Sequence, residues 1–314
     1  MIKYKIINIK LNLIIFLFLF IFNNVYSIEN KIVLKIENEI ITTLDIENEK
    51  NYLKALNPNV KNLDQKRLNQ IAKNSLIREK IKENEILKYT KKIKINQEFL
   101  EKLIENRYSK LNFNNKAEFL NYLKNFDINI KNIEKKLSIE AVWNELIYQK
   151  FSSKVKIDKK ALEKQIEEVF SKGEKSYLLS EIVISANNRE KLKKKLNEIK
   201  KEISKNSFSN VALIHSSADS SEIGGKLGWI KESSLNKNIR AKLQDLKIND
   251  ITEPIFTANG YLILKINDIK FTEKNYDKKK ELENLVMFKT NQQLNQLSNI
   301  YFKKIKKNTN INEL

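Results

Sequence analysis

From Lys31 to Glu49 the chain reads KIVLKIENEIITTLDIENE, and Ile32, Leu34 and Ile36 recur at every second position. A period of two places one face of a strand inward. Glu37-Asn38 can then turn the chain into Ile40-Ile41, so the stretch predicts a short hairpin. Thr42 or Thr43 offers an N-cap to a following helix, with Asp45 and Glu47 in its first turn, where the helix dipole favours acids. Beyond this point the period lengthens. Leu68, Ile71, Ala72 and Leu76 share one helical face at spacings of three and four, and Asp64 can cap the start. The same pattern predicts helices near 96–110, 116–125, 129–151 and 158–171. In the third of these Ile133, Leu137, Val142, Trp143, Leu146 and Ile147 form an apolar stripe, read as core.

After Gly173 the pattern changes. Residues 176–184, SYLLSEIVI, read as a buried strand, and 188–205 as a basic amphipathic helix with Leu192, Leu196, Ile199 and Ile203 inward. A short helix is predicted at 208–216, a loop through the next glycines, a helix at 239–246, and a hairpin at 251–268 turning at Asn259-Gly260. That order of strands and helices describes an α+β domain. One long helix closes the chain, with Leu282, Leu285, Val286, Leu294, Leu297, Tyr301 and Ile305 on one stripe. Nothing adjacent in sequence can cover that stripe. The expectation is therefore that it packs back onto the N-terminal helices.

Glycine use sharpens the picture. Of five glycines in 314 residues, three are Gly224, Gly225 and Gly228, and none precedes Gly173. The N-terminal part thus reads as mostly helix with few breaks. The formal charge of +20 raises the possibility of nucleic-acid binding. Against it, only Arg67, Arg78, Arg107, Arg189 and Arg240 are arginines, and they do not cluster. Lysine is read here as the default surface residue. The absence of cysteine excludes disulfides and thiol chemistry, and the single histidine, His215, rules out multi-histidine metal sites. No metal or cofactor is expected.

The first 27 residues carry Lys3, Lys5 and Lys10, no acid, an apolar run of about 12 residues from Leu11 to Phe22, and Val25-Tyr26-Ser27 as a cleavage site. This is a secretory signal pattern; the alternative is an uncleaved anchor, although a spanning helix needs roughly 20 residues. Cleavage would take the charge from +20 to +17 by removing the three lysines. The mature chain is expected in a bacterial periplasm, not integral to the membrane.

Gly224-Gly225-Lys226-Leu227-Gly228-Trp229, after a Ser/Asp run, resembles the Gly-Gly-Asp-Leu-Gly-Trp/Phe segment of the parvulin-type peptidyl-prolyl isomerases. Ser180-Glu181-Ile182-Val183 is similar to that family's first strand, Phe208 to Ala212 to its Phe-x-x-Ala element, and Pro254 to Leu262 to its Pro-x-x-Thr-x-x-Gly-Tyr-His hairpin. An exported chain with a hairpin, a helical domain, one such unit and a closing helix also resembles the SurA-type chaperones. The expected organisation is 1–27 signal peptide, 28–172 helical chaperone domain, 175–270 parvulin-like domain, and 273–306 closing helix. The fold class is α+β, with a mainly helical N-terminal domain completed by the C-terminal helix.

The resemblance also implies a site. Leu227 corresponds to the leucine of the prolyl pocket, and Leu235 and Ile239 to its other apolar walls. The family's two ring histidines fall on Glu181 and Leu262, and its Cys or Asp falls near Ala218, with Asp219 one place later. Of the polar ring, Thr257 and Asn259 remain, with Asp219 a further candidate. A neutral imidazole is thus replaced by a carboxylate and by a hydrocarbon, so isomerase activity is expected to be weak or absent. The implied partner is unfolded polypeptide, above all outer-membrane β-barrel precursors, and not nucleic acid. The alternative is a working isomerase that speeds slow X-Pro steps.

Overall fold

The computed structural model describes residues 30–57, 60, 63–170, 174–184, 189–257, 260–272 and 277–314. The expected signal peptide, Gly173 and Asn259 lie outside the described residues. Strands β1 (Ile32–Ile36) and β2 (Glu39–Thr42) pair antiparallel, with Glu37 at a positive φ of 53° in the turn. Leu34 and Ile36 are buried and Ile32 is exposed. Thr42 ends the hairpin and caps helix α1 (Thr43–Leu56) through a reciprocal box with Asp45. Asp64 caps α2 (Gln65–Leu87), accepting from the Arg67 backbone N–H at 2.9 Å.

Helices α3 (Gln97–Ser109) and α4 (Lys116–Lys124) form a satellite core with the start of α5 (Ile130–Phe151), around the buried ring of Phe119. Helix α6 (Lys159–Phe170) leads into the second sheet. The chain closes with α10 (Lys278–Asn308), whose stripe divides between two partners. Leu282, Leu285 and Val286 pack with Leu162 and Ile166 of α6, whereas Leu294, Tyr301 and Ile305 pack with Ile86, Ile139 and Trp143. Trp143 is fully buried, stacks on Tyr301, and donates its Nε1–H to Ser298 Oγ at 2.9 Å. A strand not anticipated from sequence, β7 (Ile311–Glu313), then pairs with β1, giving the order β2-β1-β7. Both ends of the described chain therefore meet in one sheet.

The second sheet is antiparallel with order β4-β3-β6-β5. Its strands are β3 (Glu174–Ile184), β4 (Lys226–Lys231), β5 (Ile255–Thr257) and β6 (Gly260–Thr272). The glycine stretch expected as loop thus holds a strand. One face of this sheet carries α7 (Arg189–Lys205) and α8 (Phe208–His215) on Ile182, Ile184 and Ile263. The other carries α9 (Lys237–Leu243) on Leu179, Val183, Leu262 and Leu264. The fold is α+β. Leu213 of α8 enters the core formed by α1, α2 and the first sheet, so this unit is docked on the N-terminal helices through apolar contact.

Candidate functional site

The site is framed by β3, β6, α9 and the segment from Ala218 to Gly225. Alternation along β3 sends Leu179 and Val183 to the α9 face, with Glu181 between them. Across the ladder Val183 pairs with Leu262 and Glu181 with Leu264. Leu262, Leu235, Ile239 and Ala218 are each buried in one apolar cluster on this face. Three of the sequence-predicted residues, Leu235, Ile239 and Leu262, are thus brought together. Leu227, expected in the same hollow, is 37% exposed and stands outside the cluster. Strand geometry gives the reason: Ile230 of β4 pairs with Tyr177 and faces the cluster, while Leu227 and Trp229 are left exposed.

The polar candidates disperse. Glu181 accepts a hydrogen bond from Ser220 Oγ at 2.8 Å. Burial pushes its carboxyl above the usual carboxylate range; the Ser220 bond opposes this, and the nearby Asp219 charge adds to it. Asp219 turns away from the slot. Its Oδ1 accepts from Arg78 Nη1 of α2 at 2.9 Å and lies 3.9 Å from Lys82 Nζ. Its neighbour Ala218 is the residue that enters the apolar cluster. Thr257 Oγ1 donates to the Gly260 carbonyl at 2.8 Å, which engages its hydroxyl in closing the β5–β6 turn. His215 Nε2 lies 3.3 Å from Glu202 Oε2, on the α7 side of the sheet.

Two glycines set the loop. Gly225 has φ of +76°, and its carbonyl accepts the Glu181 N–H at 2.7 Å. A Cβ there would press on the Glu181 carbonyl oxygen from inside the 3.0 Å limit that real Cβ atoms keep. At Gly224, φ +71°, a Cβ would collide with Ser209 and approach Asn57 of the N-terminal unit. The loop is therefore pressed between β3 and the helical unit, and only glycine fits.

Sequence reasoning missed the residues of α2 that receive this loop. Lys82 is almost wholly buried, with Nζ 2.7 Å from Glu140 Oε2 of α5. Burial opposes its charge, but Glu140, Asp219 and Glu222 outweigh that and hold its pKa above the ordinary lysine value. Arg78 Nε lies 3.7 Å from Glu222 Oε1, and its guanidinium stands over the Phe302 ring of α10. The signal was present in the spacing. Leu68, Ile71, Ser75, Arg78 and Lys82 follow one another at three and four, so the apolar stripe of α2 becomes charged halfway along. Among the described residues no cluster of His, Cys, Asp and Glu is suited to a metal ion.

Residues 175–268 match the profile of the rotamase family, PPIC-type PPIASE domain. In sequence the chain is similar to the chaperone SurA of Pseudomonas aeruginosa, 33% identical over 61 residues. That stretch is 19% of this chain and 15% of the relative, so most of the chaperone's length is unmatched. Among solved structures it is similar to a SurA-like chaperone of Campylobacter jejuni, at 18% identity and a TM-score of 0.36, covering 91% of this chain and 99% of that one. It is also similar to the peptidylprolyl isomerase PrsA of Bacillus anthracis, at 22% identity and a TM-score of 0.33, covering 74% and 93%. Residues 175–268 thus match a PpiC-type rotamase domain, in a chain that is similar to SurA chaperones over a 61-residue stretch.

Proposed function

We propose that this protein is an exported, periplasmic folding factor that holds unfolded polypeptide, outer-membrane β-barrel precursors above all. Its domains on this reading are the helical unit 28–172 with the closing helix 273–306, and the parvulin-like unit 175–270. The parvulin-like unit grips chains better than it isomerises them. One observation carries this: the positions that should ring a prolyl peptide bond with polar groups do not do so. Ala218 and Leu262 are buried in hydrocarbon, Asp219 is held by Arg78, and Thr257 is engaged in its own turn. Amide rotation meets a barrier of about 18–20 kcal/mol, which such enzymes lower by polar contacts to the carbonyl in a sheltered slot. An apolar slot without those contacts can bind proline and still fail to lower the barrier.

Precursors of membrane β-barrels expose apolar, alternating strands in transit and aggregate readily. The similarity to SurA chaperones supports unfolded polypeptide as the client class. No described helix is long and apolar enough to cross a membrane. The second reading, a working isomerase, is favoured by the apolar walls Leu235 and Ile239, which stay together in one buried cluster. The test is a prolyl-peptide isomerisation assay run beside suppression of aggregation of an unfolded barrel protein, on one preparation. Strong aggregation suppression with an isomerisation rate near background supports the proposal.

A further inference from the structure

The connection between α2 and α3 repeats the alternation of a strand without belonging to a sheet. In Lys92-Ile93-Lys94-Ile95 the lysines are exposed and the isoleucines half-buried. Ile93 packs on the cluster of Ile86, Ile139 and Trp143, and Ile95 on that of Leu100 and Phe119, so the stretch is anchored at two points. Thr90 fixes its start. The Thr90 hydroxyl donates to the Lys92 carbonyl at 3.0 Å and accepts the Lys92 N–H at 3.4 Å. Among the described residues the backbone N–H and C=O groups of Ile93, Lys94 and Ile95 make no backbone hydrogen bond. Such a row of groups is open to pairing with another chain.

The same stretch borders a groove of about 790 Å³ between the C-terminal end of α2, the start of α3, and α5. Leu87, Leu100 and Ile139 add hydrocarbon to that of the two isoleucines. Lys92, Lys94 and Lys131 line it too, and none of the three makes an ion pair among the described residues. Of the lining acids, Glu83 is held by Lys135 at 3.0 Å and by Lys80 at 3.3 Å. That leaves Glu134 alone against three lysines. The groove lies in the helical unit, apart from the elements that frame the prolyl slot.

Three features converge on one kind of occupant. Unpaired backbone groups suit an added strand, hydrocarbon suits its inward side chains, and the surplus lysines suit carboxylates on its other face. A second copy of this chain, at a net charge of +20, is disfavoured by repulsion. We propose that this groove binds an extended polypeptide segment in which apolar residues alternate with acidic ones. The segment lies along Lys92–Ile95, sets its apolar side chains on Leu87 and Ile139, and pairs its carboxylates with Lys92, Lys94 and Lys131. Client selection by charge is thereby placed in the helical unit and needs no proline. The inference deepens the reading of the protein as a polypeptide-binding factor and rests on it.

The experiment titrates the intact protein with proline-free hexapeptides, N-acetylated and C-terminally amidated. One is Glu-Val-Glu-Val-Glu-Val, and another carries Gln in place of each Glu. The acidic peptide is expected to bind about tenfold more tightly, the factor of one charge-assisted hydrogen bond. The joint change Lys92→Gln, Lys94→Gln and Lys131→Gln removes that preference, and the three Lys→Arg changes retain it. Equal affinity for the two peptides, or a preference that survives the glutamine changes, overturns the assignment. Two further acidic peptides carry N-methyl groups on the glutamate nitrogens or on the valine nitrogens. Because alternate N–H groups of a strand point to opposite edges, one of the two should bind far more weakly than the other; equal effects overturn the added-strand geometry. Dodecanoate binding as tightly as the acidic peptide moves the site to anionic amphiphiles and overturns the polypeptide occupant. Aggregation suppression of an unfolded barrel protein is measured on the same samples. Intact suppression without acid preference rejects this groove and leaves the proposed function standing. Lost suppression in the unmodified protein rejects that function, while the peptide comparison still decides the groove.

Discussion

Replacing Gly225 by alanine should destabilise the loop that leads into β4, and Gly228→Ala supplies the internal control. Both glycines have φ near +80°, at +76° and +82°. An alanine held in that region costs about 1–2 kcal/mol from backbone strain alone. At Gly228 this is the whole effect, because nothing lies within 4 Å of the added Cβ. At Gly225 the Cβ presses on the Glu181 carbonyl, backbone of the central strand β3, and on Ala212 of α8. Relief requires the loop to move, which weakens the 2.7 Å bond from the Glu181 N–H to the Gly225 carbonyl. A lost buried backbone bond costs about 1–3 kcal/mol more. The expected totals are thus about 1–2 kcal/mol for Gly228→Ala and about 2–5 kcal/mol for Gly225→Ala. Urea unfolding measures both, and hydrogen exchange at β3 and β4 locates the damage. Equal losses in the two variants, or a larger loss at Gly228, would refute the claim that close backbone approach places glycine at 225.

Three further outcomes follow from the same contacts. A double-mutant cycle of Arg78→Met with Asp219→Asn should give a coupling of about 0.5–1 kcal/mol, small because Asp219 is exposed enough for solvent to screen it; a coupling of zero would mean that the pair does not latch the loop to α2. Glu181→Gln should change the pH dependence of stability. A carboxyl raised on folding binds its proton more tightly in the folded chain, so its contribution declines as pH rises from 4.5 through the raised value. The glutamine variant should lack that decline and melt higher than the parent at neutral pH, as read by calorimetry; an unchanged profile would count against burial as the cause. Trp143→Phe should cost about 1–3 kcal/mol by removing the bond to Ser298 and leaving a void, and limited proteolysis should then nick α10 before the rotamase domain.

Local signals were legible and distant ones were not. Asp64 could be read as a cap, and the first helix's cap narrowed to Thr42 or Thr43, because an N-cap needs only its own side chain and the next turn. The apolar stripes of α2, α5 and α10 were equally plain, since helical periodicity is written into ten or more residues. Strand β4 escaped because Gly225 and Gly228 read as loop, whereas pairing with β3 makes Lys226–Lys231 a strand. Strand β7 is three residues long and owes its form to β1, nearly the whole chain away. The rotamase resemblance pointed to Leu235 and Ile239 as apolar walls and to Leu262 as the replacement of a ring histidine, and the fold buries all three in one cluster. It could not foresee that Asp219 would turn to Arg78, because that choice depends on how the two units dock. Nor could it place Leu227, whose exposure depends on which face of β4 meets the cluster.

The central claim is that the slot has kept its hydrocarbon and lost its polar ring. The most direct measurement is the rate at which the protein interconverts cis and trans forms of a prolyl peptide, taken alongside its binding of that peptide. Saturable binding with a rate near the uncatalysed one is the predicted result. Brisk turnover that vanishes on Asp219→Ala would contradict it, for it would show that a carboxylate held by Arg78 in this structure still reaches the peptide bond.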